Sequence, residues 1–232
     1  MGWYIVLRLL PGSNRFRRES FARTMSRLVC RPVGVRVRFV DRDRVSRHHP
    51  CVYVANHQSQ IDYPILGAIY PGNALVMASQ IGDWPFMGAL FRSSGSLVLD
   101  RDVPHRAVAA LEQAERAIRD ERLSVWMFAE GTRGKARGQL GPFKRGAFRL
   151  AATTGVPVVP IVVSPLKPHT DLRGRRLEPH AVTVRVLEPM YPAGGGRENE
   201  DALRDAVRAR MQTVLDELSG AALPRGYAAR GR

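Results

Sequence analysis

Cys51-Val52-Tyr53-Val54-Ala55-Asn56-His57-Gln58-Ser59-Gln60-Ile61-Asp62 decides how the fold is read. Its first five residues form a short apolar run, which predicts a strand buried inside a sheet. The chain turns polar at Asn56, and helical spacing resumes from Ile61 through Leu66 and Ile69. His57 therefore falls at the carboxyl end of a strand, where open α/β sheets collect their chemistry. Imidazole is the side chain suited to taking a proton near neutral pH. A carboxylate on its other nitrogen, here that of Asp62, would fix the tautomer and stabilise the imidazolium. A His–Asp pair without a partnered serine or cysteine nucleophile suggests that the substrate's own hydroxyl attacks. Two plainer readings compete: a surface hydrogen bond between loop residues, and Asp62 as a cap for the following helix.

Outward from this stretch, strands and helices alternate. Further strands are predicted at 74–78, 96–99, 123–128, 157–163 and 182–187, with helices at 61–70, 84–92, 104–122, 144–154 and 198–219. On the helix opened by Pro104, Val108, Leu111, Ala114 and Ile118 are read as one apolar face. The alternation predicts an α/β fold, a layered and mainly parallel sheet flanked by helices. Three strand ends then share one edge: Asn56-His57, Asp100-Arg101 and Glu130-Gly131-Thr132-Arg133. Arginine binds phosphate bidentately, and backbone amides beside Gly131 add donors. Such an edge would hold a phosphate ester and bring its hydroxyl to His57. Singly, a strand-end arginine is a solvated charge and Glu-Gly a turn; the joint placement carries the argument.

A chain of 232 residues fits one α/β domain, with room for a small appendage. Cys30 and Cys51 are too few for a disulfide framework, which makes a reducing compartment the default. His48, His49 and Cys51 lack a second clustered pair at zinc-type spacing and are read as loop and strand residues. The net charge of +15 is unevenly spread, with twelve arginines against three acidic residues in the first 50. That excess points to a polyanion, nucleic acid or an anionic membrane. No helix-turn-helix, zinc finger or RNP-like aromatic strand is visible, which argues against nucleic acid.

Residues 1–10 instead form an apolar opening with Trp3 and Tyr4. After Pro11-Gly12, Phe16, Phe21, Met25, Leu28 and Val29 recur at near-helical spacing among Arg15, Arg17, Arg18, Arg23, Arg27 and Arg31. This composition fits an amphipathic helix lying in a membrane interface, and equally one packed on the domain. The opening run is about half the ~20 residues of a spanning helix. It lacks a small-residue cleavage site, and Val6 departs from the myristoylation pattern. The expected organisation is a basic, membrane-interacting helical segment over 1–47, an α/β domain over 48–220 and a loose tail over 221–232.

Four blocks in order resemble the glycerolipid acyltransferase family, especially its bacterial 1-acylglycerol-3-phosphate O-acyltransferases. His57-(four residues)-Asp62 looks like the family's first motif, and Gly95-Ser96-Leu97-Val98-Leu99-Asp100-Arg101 is similar to the second. Phe128-Ala129-Glu130-Gly131-Thr132-Arg133 resembles the third, with Ala129 where the family usually has proline. Val156-Pro157-Val158-Val159-Pro160-Ile161 resembles the fourth. The resemblance implies that His57, held by Asp62, deprotonates the acceptor hydroxyl as it attacks an acyl thioester, with no acyl-enzyme. It assigns Glu130, Gly131, Thr132 and Arg133 to the glycerol phosphate, with Arg101 on its phosphate. On electrostatic grounds Lys135, Arg137, Lys144 and Arg145 would meet coenzyme A phosphates or the acidic face of acyl carrier protein. The expected co-substrate is acyl-CoA or acyl-acyl carrier protein, with no other cofactor. The expected place is the cytoplasmic face of a membrane, held peripherally or monotopically.

Overall fold

The computed structural model describes residues 13–78, 97–98, 104–131, 138–167, 169–171 and 176–220. The expected helix at 84–92, Arg101, Thr132, Arg133, Lys135, Arg137, the opening 1–10 and the tail 221–232 lie outside the described residues. In chain order the elements are α1 (Asn14–Cys30), β1 (Val35–Val40), α2 (Arg44–Arg47), β2 (Val52–Ala55), α3 (Asp62–Gly67), β3 (Ala74–Ala78) and β4 (Leu97–Val98). There follow α4 (Pro104–Arg119), β5 (Ser124–Phe128), α5 (Gly146–Thr154), β6 (Val158–Val163), β7 (Thr170–Asp171), β8 (Arg176–Leu177), β9 (His180–Val186) and α6 (Arg197–Gly220).

The main sheet runs β1-β9-β6-β2-β5-β3-β4. All neighbours in it are parallel except β6 and β9, so β9 and β1 run opposite to β2. The α/β architecture with a mainly parallel sheet is thus as the alternating pattern predicted. β2 sits inside it, with Ala55 in register with Phe128 of β5 and Ile161 of β6. Helices cover both faces, so β2 is an unbroken apolar run. Alternate side chains go to opposite layers. Val52 and Val54 pack with Ala114, Ile118, Phe148 and Met211 of α4, α5 and α6. Tyr53 and Ala55 pack with Cys30, Ile65 and Trp126, on the side of α1 and α3.

Two readings of the sequence need correction. The α/β unit does not start at residue 48, because Val35–Val40 is an edge strand of the main sheet, paired in parallel with β9. Val35 is buried while Arg36 and Arg38 are exposed, the alternation of a strand whose outer side meets water. Those arginines merged it with the basic stretch before it. Val108 is also not on the buried face of α4; it is 51% exposed, and Ala110, Ala114, Ala117 and Ile118 form that face. At 3.6 residues per turn, Val108 lies about a third of a turn away from Ala114.

α1 begins with the Ser13 hydroxyl accepting the Phe16 N–H at 3.3 Å. It buries Phe21, Ser26 and Cys30 and leaves Phe16, Arg23, Arg27, Leu28 and Arg31 exposed. Against α3 the approach is close: a Cβ on Gly67 would stand 2.6 Å from the Ala22 carbonyl oxygen. Among the described residues no helix is long and apolar enough to cross a membrane. The Gly67 contact predicts that Gly67→Val lowers stability by about 1–3 kcal/mol through overpacking. It also predicts faster tryptic cleavage within α1. Unchanged denaturation and proteolysis profiles would show that this contact does not hold the helix.

Candidate active site

β2 stops pairing at Ala55, and two carboxamides take over from its backbone. Asn56 Nδ2 donates to the Val163 carbonyl at 3.0 Å while its Oδ1 accepts the Val163 N–H at 2.8 Å. The side chain thereby imitates one more rung of the β2–β6 ladder. Gln58 Nε2 donates to the carbonyls of Val163 and Ser164, both at 3.0 Å, and its Oε1 accepts the Leu166 N–H at 3.1 Å. The turn bearing His57 is thus stitched on both sides to the chain leaving β6. The sequence reading gave these two residues no role, although a donor–acceptor side chain on each side of a strand-end histidine was a usable signal.

Asp62 takes one of the roles considered for it and not the cap, because α3 has Ile61 at its N-cap with no side-chain cap bond. It is fully buried as the first residue of α3, and its Oδ2 accepts Nδ1–H of His57 at 2.8 Å. The same oxygen accepts the N–H groups of Gln58 at 2.6 Å and Ser59 at 2.8 Å. One carboxylate closes the turn and fixes the ring within it. Donation from Nδ1 assigns the neutral tautomer with its lone pair on Nε2. Among the described residues Nε2 has no hydrogen-bond partner. The imidazole stacks on Phe128 with centroids 4.1 Å apart, and Tyr63 meets it edge-on at 5.7 Å. His57 is therefore a base oriented on every side but one. Cys51 lies at the far end of β2, and burial pushes its thiol up to about 12, so it supplies no thiolate here.

At the end of β5 the chain turns through Gly131, whose φ of 74° lies in the left-handed region that glycine adopts freely. The turn sends Glu130 inward, 5% exposed. Its Oε1 accepts the His57 N–H and its Oε2 the Gly141 N–H, each at 3.0 Å. Burial raises its pKa, and these two amides oppose that rise. Lys144 is tied to this turn through its backbone, donating to the Ala129 carbonyl at 2.7 Å, while its side chain is exposed. Arg145 is held by Glu200 at 3.0 Å and Asp201 at 2.9 Å, so its charge is engaged within the protein. The structure brings His57, Asp62, Glu130 and Gly131 together at one edge, with Lys144 beside them. Arg101, Thr132 and Arg133 lie outside the described residues. Among those residues no group of His, Cys, Asp and Glu is placed to hold a metal ion.

A base at a strand end, locked in one tautomer and open at Nε2, is equipped to deprotonate an alcohol. Comparison with known proteins adds the reaction class: the family model described as Acyltransferase matches residues 36–164, more than half of the chain. This chain belongs to the acyltransferase family. The matched range holds His57, Asp62, Glu130 and Lys144. The 1-acyl-sn-glycerol-3-phosphate acyltransferase of Haemophilus influenzae is 32% identical over 77% of this chain and 72% of its own length. The Escherichia coli protein of the same name is 33% identical over 72% of this chain and 67% of its own. The fold matches the crystal structure of the 1-acyl-sn-glycerophosphate (LPA) acyltransferase, PlsC, from Thermotoga maritima. That likeness has a TM-score of 0.75 at 23% identity, covering 94% of this chain and 87% of the other.

For this acyltransferase, Asp62→Asn is the discriminating change at the dyad. One oxygen of Asp62 takes the ring N–H and both turn N–H groups, so an amide that keeps its oxygen there holds the turn but brings no negative charge to the imidazolium. Acyl transfer should fall by about 10²–10⁴-fold with the circular dichroism spectrum unchanged. Activity within twofold of wild type would mean that the carboxylate's charge does not assist His57.

Proposed function

We propose that this acyltransferase moves a fatty acyl chain from an acyl thioester to the free sn-2 hydroxyl of 1-acylglycerol 3-phosphate, giving phosphatidic acid for phospholipid synthesis. One observation carries the reading: Nε2 of His57 has no hydrogen-bond partner among the described residues, and its ring is fixed through Nδ1 by the buried Asp62. The names of the bacterial relatives supply the acceptor.

In this mechanism Nε2 takes the hydroxyl proton as the acceptor oxygen bonds to the thioester carbonyl carbon. The imidazolium is stabilised by Asp62, already hydrogen-bonded to it. Collapse of the tetrahedral intermediate breaks the C–S bond, and the leaving thiolate takes the proton back from His57. The base is thereby regenerated, and no acyl group rests on the protein. Holding both substrates in attack geometry provides much of the acceleration. Family resemblance assigns Glu130, Gly131, Thr132 and Arg133 to the glycerol phosphate, with Arg101 on its phosphate. Lys144, exposed beside the Glu130 turn, is assigned to the phosphates of coenzyme A or to acyl carrier protein. The thioester is a co-substrate.

Both acceptor and product are amphipathic lipids, which favours work at an anionic membrane surface, peripherally and on the cytoplasmic side. The outward face of α1 supports this, since Phe16 and Leu28 are 53% and 64% exposed among Arg23, Arg27 and Arg31. β1 runs opposite to β2, so α1 delivers its carboxyl end, with Arg27, Leu28 and Arg31, to the sheet edge where His57 sits.

The test is thiol release from a fatty acyl-coenzyme A in detergent micelles, with and without lysophosphatidic acid. Wild type should release thiol only with acceptor, and His57→Ala should lose about 10²–10⁴-fold while still folded. Equal release from an acceptor lacking the phosphate, or full activity in His57→Ala, would overturn the reading.

A further inference from the structure

Both carboxylate oxygens of Glu130 are already engaged within the protein. Each of its oxygens accepts a backbone N–H at 3.0 Å, from His57 on one side and Gly141 on the other. It is buried, and its negative charge would repel a phosphate rather than bind it. The resemblance to relatives implied a place for it on the glycerol phosphate; its contacts point elsewhere.

The far side of this bridge leads to the last helix. Gly141 belongs to a short loop held along its backbone by two side chains one turn apart on α6. Gln212 Oε1 accepts the Leu140 N–H at 2.8 Å, and its Nε2 donates to the Gly138 carbonyl at 3.0 Å. Arg208 Nε donates to the Gly141 carbonyl at 2.9 Å, and a terminal guanidinium nitrogen donates to that of Leu140 at 2.6 Å. A Cβ at residue 141 would stand 3.0 Å from Glu130 Oε2, so a side chain there would push the carboxylate out of its place.

We propose that Glu130 is a positioning residue for His57, and that Arg208 and Gln212 set its position from α6 through the loop 138–141. The chain of contacts is unbroken: α6 fixes the loop, Gly141 fixes one carboxylate oxygen, and the other oxygen fixes the backbone of the residue that carries the base. Hydrogen bonds to a carboxylate are roughly twice as strong as neutral ones, so this link is stiffer than the amide contacts of Asn56 and Gln58. Asp62 controls how the ring is turned, and Glu130 controls where its Cα stands. Both are needed to place Nε2, since a misplacement of about 1 Å can cost on the order of 10²-fold in rate. The kinetic side of this proposal rests on acyl transfer at His57; the geometric side does not.

The experiment pairs kinetics with the backbone amide signals of the substrate-free protein, labelled with ¹⁵N at histidine and glycine. In Glu130→Gln an NH2 group replaces one acceptor and faces an N–H donor. The turnover kcat should fall about 10–100-fold, while KM for lysophosphatidic acid stays within twofold. In Gln212→Ala and Arg208→Ala, outside the site, the amide signals of both Gly141 and His57 should move together, with a several-fold loss of kcat. A raised KM with kcat retained in Glu130→Gln would make Glu130 a substrate ligand and overturn the proposal. Movement of Gly141 without His57 in the α6 variants would break the relay. If wild type fails to acylate lysophosphatidic acid while the amides still move together, the function reading fails and the positioning stands. If Glu130→Gln does not fold, the α6 variants decide the question by the same two signals.

Discussion

A backbone N–H or C=O sealed away from water has to find a partner, and the candidate site around His57 is organised by that requirement. β2 ends in the middle of a sheet, level with the end of β5 at Phe128 and two residues short of the end of β6 at Val163. Each polar side chain around His57 answers an exposed backbone group left by that ending. Asn56 and Gln58 pair with the chain beyond β6, Asp62 with the turn, and Glu130 with the amide of His57 itself. The geometry of the His57–Asp62 pair follows from the same bonds that make the strand end tolerable.

This division explains which parts could be read from residues in order. β2, β5 and β6 are covered on both faces, so they appear as unbroken apolar runs. α4, α5 and α6 show their period. β1 did not stand out, because an edge strand with two outward arginines looks like more of the basic stretch preceding it. Val108 is apolar and lies in the right helix, but it stands about a third of a turn from the buried face.

At the site, His57 and Asp62 were legible because both lie in one short turn after an obvious strand. Their supports were not. Asn56 bonds with Val163, and Glu130 with Gly141 across a loop, and nothing local in either stretch announces its distant partner. Glu130 was picked out through family likeness, yet what its oxygens touch is visible only in three dimensions. Of the two readings of α1, the structure shows the packed one: Phe21, Ser26 and Cys30 are buried, while Phe16 and Leu28, toward the two ends of the helix, stay exposed.

The pairing of β1 with β9 has a consequence for how the protein is made. Val35 leaves the ribosome early, but its partner strand begins only at His180. At translation speeds of about 5–20 residues per second, β1 waits on the order of ten seconds for that partner to be synthesised. α3, the docking site of α1, emerges much sooner. The nascent chain therefore passes through a stage in which its arginine-rich first helix can already be seated while the strand that follows has an open edge. That interval is when a chaperone, or a nearby bilayer, has its best access to the amino-terminal segment.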